Sequence, residues 1–152
     1  MHFKRRLYVA IHIGLTVALA LVGGIVYATE TINNPEVRAR VELMQGLKAQ
    51  MKLLGETASG AQPFDADKVS AAITALQQGA DGVATAFRPK ADDPASQALP
   101  EIWASPAEFR QKTAKLVKTV ADLDGAEQGA LAGTLDPVLA ACKDCHGRFK
   151  MQ

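Results

Sequence analysis

From about residue 34 onward, apolar positions recur at three- and four-residue intervals with polar residues between them, the mark of helices that each bury one stripe. No window alternates with period two over the length of a strand, so strands are not expected. The first helix opens at Asn34-Pro35, a cap residue followed by proline at the first helical position, and runs to about Leu54, where Gly55 is expected to stop it. Its stripe carries Val37, Met44 and Met51 at sevenfold spacing, with Leu47 and Leu54 as the alternate set. Arg40 stands in that alternate set where another apolar residue belongs. The second helix starts near Asp65, carries Val69, Ile73, Leu76, Ala80, Val83 and Phe87, and ends at Pro89. A loop from Pro89 to Ser105 follows, rich in Pro, Asp and Ala but holding Ile102 and Trp103. Ser105-Pro106 opens the third helix, with Phe109, Leu116, Val120 and Leu123 on its stripe and Glu108 placed to complete a capping box with Ser105. The fourth runs from about Glu127 to Lys150, with Leu131, Leu135, Val138, Cys142, Cys145 and Phe149 on one face. Pro137 lies inside it and removes one backbone donor, which predicts a kink or an interrupted start. Four helices with three connections make an all-α, antiparallel four-helix bundle, a fold that builds cofactor sites between facing helices.

The chain before these helices is organised differently. Lys4, Arg5 and Arg6 precede an uncharged stretch from Leu7 to Thr29, and Val26-Tyr27-Ala28 is an acceptable small-residue cleavage site. That is the layout of a secretory signal. The stretch also exceeds the ~20 residues that span a bilayer, so an uncleaved anchor is the alternative, with His12, Gly14, Thr16, Gly23 and Gly24 lowering its hydrophobicity. Residues 1–28 are thus read as a signal peptide or anchor helix and residues 29–152 as one domain. The expected location is the periplasm, or the inner membrane facing the periplasm if the anchor stays. Three of the 17 basic residues lie in the leader, which leaves 14 against 16 acidic ones. A slightly acidic domain gives no sign of nucleic-acid binding.

The chemistry is concentrated at the other end. Cys142-Lys143-Asp144-Cys145-His146 is a C-x-x-C-H run, the attachment signature of c-type haem. Two thiols add across the haem vinyl groups, and the adjacent imidazole becomes the proximal ligand of the iron. The chain has two cysteines, both here, and His2 and His12 fall in the leader, so His146 is the imidazole left to the folded domain. A redox dithiol would want a βαβ setting and zinc a second ligand pair, and the sequence offers neither. Haem is attached to such proteins outside the cytoplasmic membrane, so the leader and the motif imply each other. Both cysteines fall on the apolar stripe, which predicts one covalent haem c inserted into the bundle core.

Several segments together resemble the cytochrome c-prime family, over most of Asn34 to Lys150. They are C-K-D-C-H-G-R-F-K at the end of the last helix, Arg40 and Met44 four residues apart in the first, P-F-D at Pro63 to Asp65, P-E-I-W at Pro100 to Trp103, and Pro137 five residues before Cys142. Within the family the likeness is to the low-spin, six-coordinate members. It implies a carrier of single electrons that catalyses no bond chemistry itself, with redox partner proteins in the periplasm or membrane. Membrane contact would follow only if residues 7–28 are retained, as in a tethered redox subunit, and a homodimer is left open. The resemblance places Met44 on the distal side of the iron and Phe149 and Lys150 after the attachment run, in the haem environment. Many members carry an apolar residue at the distal position, leaving five-coordinate iron that binds nitric oxide or carbon monoxide, which is the alternative function. Met44 has a thioether able to complete the coordination. It could instead fill a gap in the core, and Met51, two turns along the same face, is the competing ligand. Arg40 is expected to pair with a haem propionate; the other reading is a stem that snorkels out at the bundle edge. Trp103 is expected to pack against the haem or to cap the bundle. Asp92-Asp93 and Lys112, Lys115 and Lys118 read as solvated faces.

Overall fold

The structure, a computed structural model, describes residues 31–152. The leader expected over residues 1–28 lies outside the described residues. Five helices follow in order: α1 (Pro35–Ala58), α2 (Ala66–Ala86), α3 (Glu101–Ala104), α4 (Pro106–Ala121) and α5 (Gln128–Phe149). Four are long and correspond to the four expected from the apolar spacing.

Their ends follow local chemistry, with two corrections. Asn34 Oδ1 accepts the N–H groups of Glu36 and Val37 at 2.9 and 3.3 Å and so caps α1. Gly55 does not stop that helix, which continues to Ala58. Leu54 and Thr57 are both buried, so packing holds the extra turn. The stop is Gly60, at φ +77°, just past the C-cap Ser59, whose N–H returns to Gly55 O at 3.0 Å. A left-handed residue is what ends the helix, and only glycine takes that conformation without strain. Asp65 caps α2 by accepting Lys68 N–H at 3.1 Å.

The second correction concerns Ser105. Its hydroxyl makes no cap bond, and Glu108 accepts from Arg148 Nε at 3.2 Å instead of turning back on the helix. The loop before it folds into the single turn α3, whose Ile102 is buried, and Ser105 is at once the end of α3 and the start of α4. Its N–H is spent on Glu101 O at 2.8 Å, which leaves the residue unlike a free N-cap. Of the kink or interrupted start expected at Pro137, the interrupted start does not occur: α5 is continuous through Pro137. Pro137 and Gly133, whose carbonyl loses its donor, are both exposed, so water can take the freed oxygen.

The long helices close a ring in which α1 packs on α2, α2 on α4, α4 on α5 and α5 on α1. Gly79 faces Leu47 while Gly82 faces Leu43, so α2 runs against α1. Glu108 meets Arg148 while Lys112 meets Asp144, so α5 runs against α4. The fold is the antiparallel four-helix bundle that the periodicity predicts. Its core is built on Leu54, Leu76 and Leu131 with Val69, Val83, Val120 and Val138, all essentially inaccessible. Each such side chain contributes about 1.5–3 kcal/mol on leaving water. A Cβ on Gly79 would stand 2.6 Å from Leu47 Cδ2, so the glycine permits the close approach of α1 and α2. The chain end is fastened by an antiparallel bridge between Ala98 and Lys150, with Leu99 N–H on Phe149 O and Met151 N–H on Gln97 O, both at 2.9 Å.

Candidate cofactor site

Cys142 and Cys145 lie one turn apart on α5, beside the buried Ala141 and Phe149, so both thiols turn inward from one helix face. They open onto a cavity of about 810 Å³. From α1 it is lined by Val37, Arg40, Met44, Leu47 and Met51, from α2 by Leu76 and Val83, from α4 by Phe109, Lys112 and Leu116, and from α5 by Cys142, Cys145 and His146. Met44, Leu47 and Met51 are consequently only partly buried, although they continue the stripe that buries Val37 and Leu54. The space falls within the ~300–1,000 Å³ of cofactor sites.

Three phenylalanines form one aromatic cluster at this site. Phe109 lies 5.6 Å from Phe87 and meets Phe149 edge-on at 5.3 Å between ring centroids. Each stands on a predicted stripe, but that three separate helix ends meet is a tertiary fact.

Arg40 is 3 % exposed. Its Nε donates to Ala86 O at 3.0 Å, Nη1 to Ala91 O at 3.3 Å and Nη2 to Pro89 O. The guanidinium also lies 5.2 Å over the Phe87 ring and 5.1 Å over Trp103. Burial lowers its pKa, with Glu36 and Asp92 acting the other way. The snorkelling reading is therefore corrected: the head group turns inward and caps the carbonyls at the end of α2. Three of its five N–H groups are spent there, and the residue is also among those lining the cavity.

Trp103 is not among the cavity's lining residues. Its indole N–H donates to Phe87 O at 2.9 Å, so it closes the bundle behind Arg40 and Phe87. Lys150 does line the cavity. Lys112 corrects the solvated-face reading: its side chain is 18 % exposed, lines the cavity, and bonds Asp144 at 2.7 Å. Its position between Phe109 and Leu116 was the signal that could have revealed this. Lys115 and Lys118 are exposed as expected. Asp93 is also not a free surface acid, since its Oδ2 accepts from Asn33 N–H at 2.8 Å and Asn34 N–H at 2.9 Å, and its Oδ1 from Ala95 N–H at 3.0 Å.

Electrostatics separate the readings of the cysteine pair. Burial pushes the Cys142 thiol up and the Cys145 thiol up to about 11, the reverse of the acidic thiol that a redox dithiol needs. Burial, then the Lys150 ammonium, push the His146 imidazole down, which favours the neutral ring that binds iron. Among the described residues no group of three or more His, Cys, Asp or Glu is placed to hold a metal ion, so zinc lacks a ligand set. The site does fit haem c: an apolar cavity of suitable size, two thiols one turn apart on its wall and an imidazole beside them. Cys142 and Cys145 would hold the porphyrin covalently and His146 the iron. The group supplies one-electron redox chemistry.

Known proteins bear on the same residues. The family described as Cytochrome C' matches residues 35–150. A cytochrome c-556 of Agrobacterium tumefaciens (strain B2A) is 31% identical over 121 residues, covering 77% of this chain and 98% of the relative. A cytochrome c' of Alcaligenes xylosoxydans xylosoxydans is 30% identical over 95 residues, 60% of this chain and 73% of the relative. In structure, the chain is similar to cytochrome c' from Rhodobacter Spheriodes, with a TM-score of 0.71 at 26% identity over 77% of this chain and 95% of that one. It is also similar to a ferrous variant of cytochrome c prime from Alcaligenes xylosoxidans with bound NO, at a TM-score of 0.70 and 25% identity over 77% and 94%. Because the match runs from the first turn of α1, through the cavity walls, to the residues after the attachment run, this chain belongs to the cytochrome c' family and is an electron-transport protein with covalent haem c.

Proposed function

We propose that this protein is an exported carrier of single electrons whose haem iron is held between His146 and Met44. The observation that carries the reading is that Met44 lines the cavity into which Cys142, Cys145 and His146 open, from the facing helix α1. A thioether is a soft ligand that completes the coordination and raises the potential relative to two imidazoles. Met44 stands one turn from Arg40, whose three carbonyl bonds fix that part of α1 against α2. Met51 lines the same cavity two turns further on and is the competing ligand. Saturated iron in both redox states limits rearrangement when an electron passes, so the residues here hold and orient and carry out no bond chemistry.

A second reading, five-coordinate iron that traps gases, is favoured by the bound NO in the Alcaligenes xylosoxidans relative. Optical spectra of the reduced protein with and without carbon monoxide separate the two. The carrier reading expects a low-spin ferrous spectrum and slow or weak carbon monoxide binding; a high-spin spectrum with rapid binding would make Met44 packing only.

The location proposed is the periplasm, with cleavage after Ala28. The basic residues, apolar stretch and Val26-Tyr27-Ala28 support it, and among the described residues no helix is long and apolar enough to cross a membrane. Intact mass of the native protein should give Thr29 as the first residue. A membrane-bound product retaining residues 1–28 would instead support a tethered redox subunit.

A further inference from the structure

The residues lining the cavity include five cations and no carboxylate: Arg40, Lys48, Lys112, Lys143 and Lys150. Their surroundings differ. Arg40 is buried on carbonyls, and Lys112 is paired with Asp144. Lys150 sits beside His146 at the chain end. Lys48 on α1 and Lys143 on α5 are exposed, and among the described residues neither has an ion-pair partner. Arg40 is held by backbone carbonyls and Lys112 by Asp144, which leaves the ammonium groups of Lys48 and Lys143 as exposed cations of the lining without a carboxylate partner among the described residues. Leu139, one turn before Lys143, lines the same opening and is 42 % exposed, one of two large apolar side chains so exposed among the described residues. The cavity therefore carries, on α1 and α5, one exposed apolar side chain and two exposed cations without an ion-pair partner among the described residues, on a domain whose overall balance is acidic, at 14 basic against 16 acidic residues.

We infer that this face, Lys48, Leu139 and Lys143, is the docking surface for a redox partner that presents an acidic patch around its own electron-transfer site. The inference rests on the carrier reading but not on Met44. Opposite local charge speeds encounter and orients it, while the small apolar contact lets the complex separate after one electron. Because the local charge is opposite in sign to that of the whole domain, the two make opposite predictions for a charged probe.

The test uses the purified holoprotein, reduced, in stopped-flow oxidation by the ferricyanide anion and by the hexaammineruthenium(III) cation, from about 10 mM to about 500 mM salt. A cationic mouth predicts that the ferricyanide rate falls as salt rises; control by net charge predicts the reverse and would overturn the proposal. Lys48→Glu combined with Lys143→Glu should lower the low-salt ferricyanide rate about tenfold and raise the ruthenium rate. Lys48→Glu alone, outside the attachment run, should give part of that change with an unaltered spectrum, which separates docking from faulty haem attachment. Poly-L-glutamate, as an acidic surrogate, should slow the wild-type ferricyanide reaction and leave the double variant untouched. Salt-independent rates would overturn the docking face while leaving the carrier reading standing; a high-spin spectrum would count against Met44 without altering the salt dependence. Self-association abolished by the double variant would assign the face to a second copy, and capture by anionic phospholipid vesicles through the same lysines would assign it to a membrane. Either would overturn the acidic-protein partner.

Discussion

At the scale of single residues, the two methionines of the cavity are chemically identical and differ in register alone. Met44→Leu should open the sixth position, turn the ferrous spectrum high-spin and speed carbon monoxide binding. Met51→Leu should leave the spin state unchanged and alter stability by about 1 kcal/mol, as volume-conserving core swaps do. The reversed pattern would make Met51 the ligand. Arg40 calls for another measurement, because its charge is engaged by backbone. Arg40→Met leaves the carbonyls of Ala86, Pro89 and Ala91 without their donor, and urea denaturation should show a loss of about 3 kcal/mol. Arg40→Lys should restore only a part, since one ammonium cannot span three acceptors held in a fork. An Arg40→Met protein as stable as wild type would mean that water satisfies those carbonyls. That Arg40 was out of place on an apolar stripe was legible in the sequence; that its partners are carbonyls was not, because they come from the last residue of α2 and the loop after it, 46 to 51 residues away.

At the scale of elements, the two glycines near the end of α1 make a matched pair. Gly60 takes φ +77°, so Gly60→Ala should destabilise by about 1 kcal/mol, the cost of a Cβ in the left-handed region. Gly55 lies inside the helix with open space where a Cβ would go, and Gly55→Ala should stabilise by about 0.5–1 kcal/mol. Thermal unfolding of the two variants checks both signs, and the opposite outcome would return the helix stop to Gly55. The existence of the four long helices was readable from apolar spacing alone, because a stripe has to be buried somewhere, whereas the single turn α3 was not. Helix ends were less so. Gly55 carries the chemistry of a stop, but burial of Leu54 and Thr57 carries α1 past it, and the Ser105–Glu108 box gave way to the Glu108–Arg148 contact.

On the scale of the whole molecule, Asp93 ties the loop after α2 to the start of α1. The Asn34 N–H, then those of Ala95 and Asn33, hold its carboxyl below the usual carboxylate range. A depressed pKa means that this contribution is fully present above the unfolded value of about 3.9 and is lost as pH falls through the lower folded value. Asp93→Ala should therefore melt below wild type at pH 7, by a margin that is constant down to about pH 5 and closes in more acid solution. A margin that persists in acid would mean that the aspartate acts through something other than its charge.

Covalent haem and an all-helical bundle are written in local sequence, and the axial histidine and export leader proposed above rest on the same kind of signal, because each depends on neighbouring residues or on a single period. C-x-x-C-H needs only its own spacing, and an amphipathic stripe needs only 3.6 residues per turn. Tertiary structure alone decided that Arg40 turns inward, that Trp103 stands behind the cavity, that Lys112 leaves solvent for Asp144 and that Asp93 ties down the distant start of α1. Each of those partners lies between 16 and 60 residues away in the chain. A polar side chain's partner depends on which helix ends the bundle brings together, and no local pattern encodes that meeting.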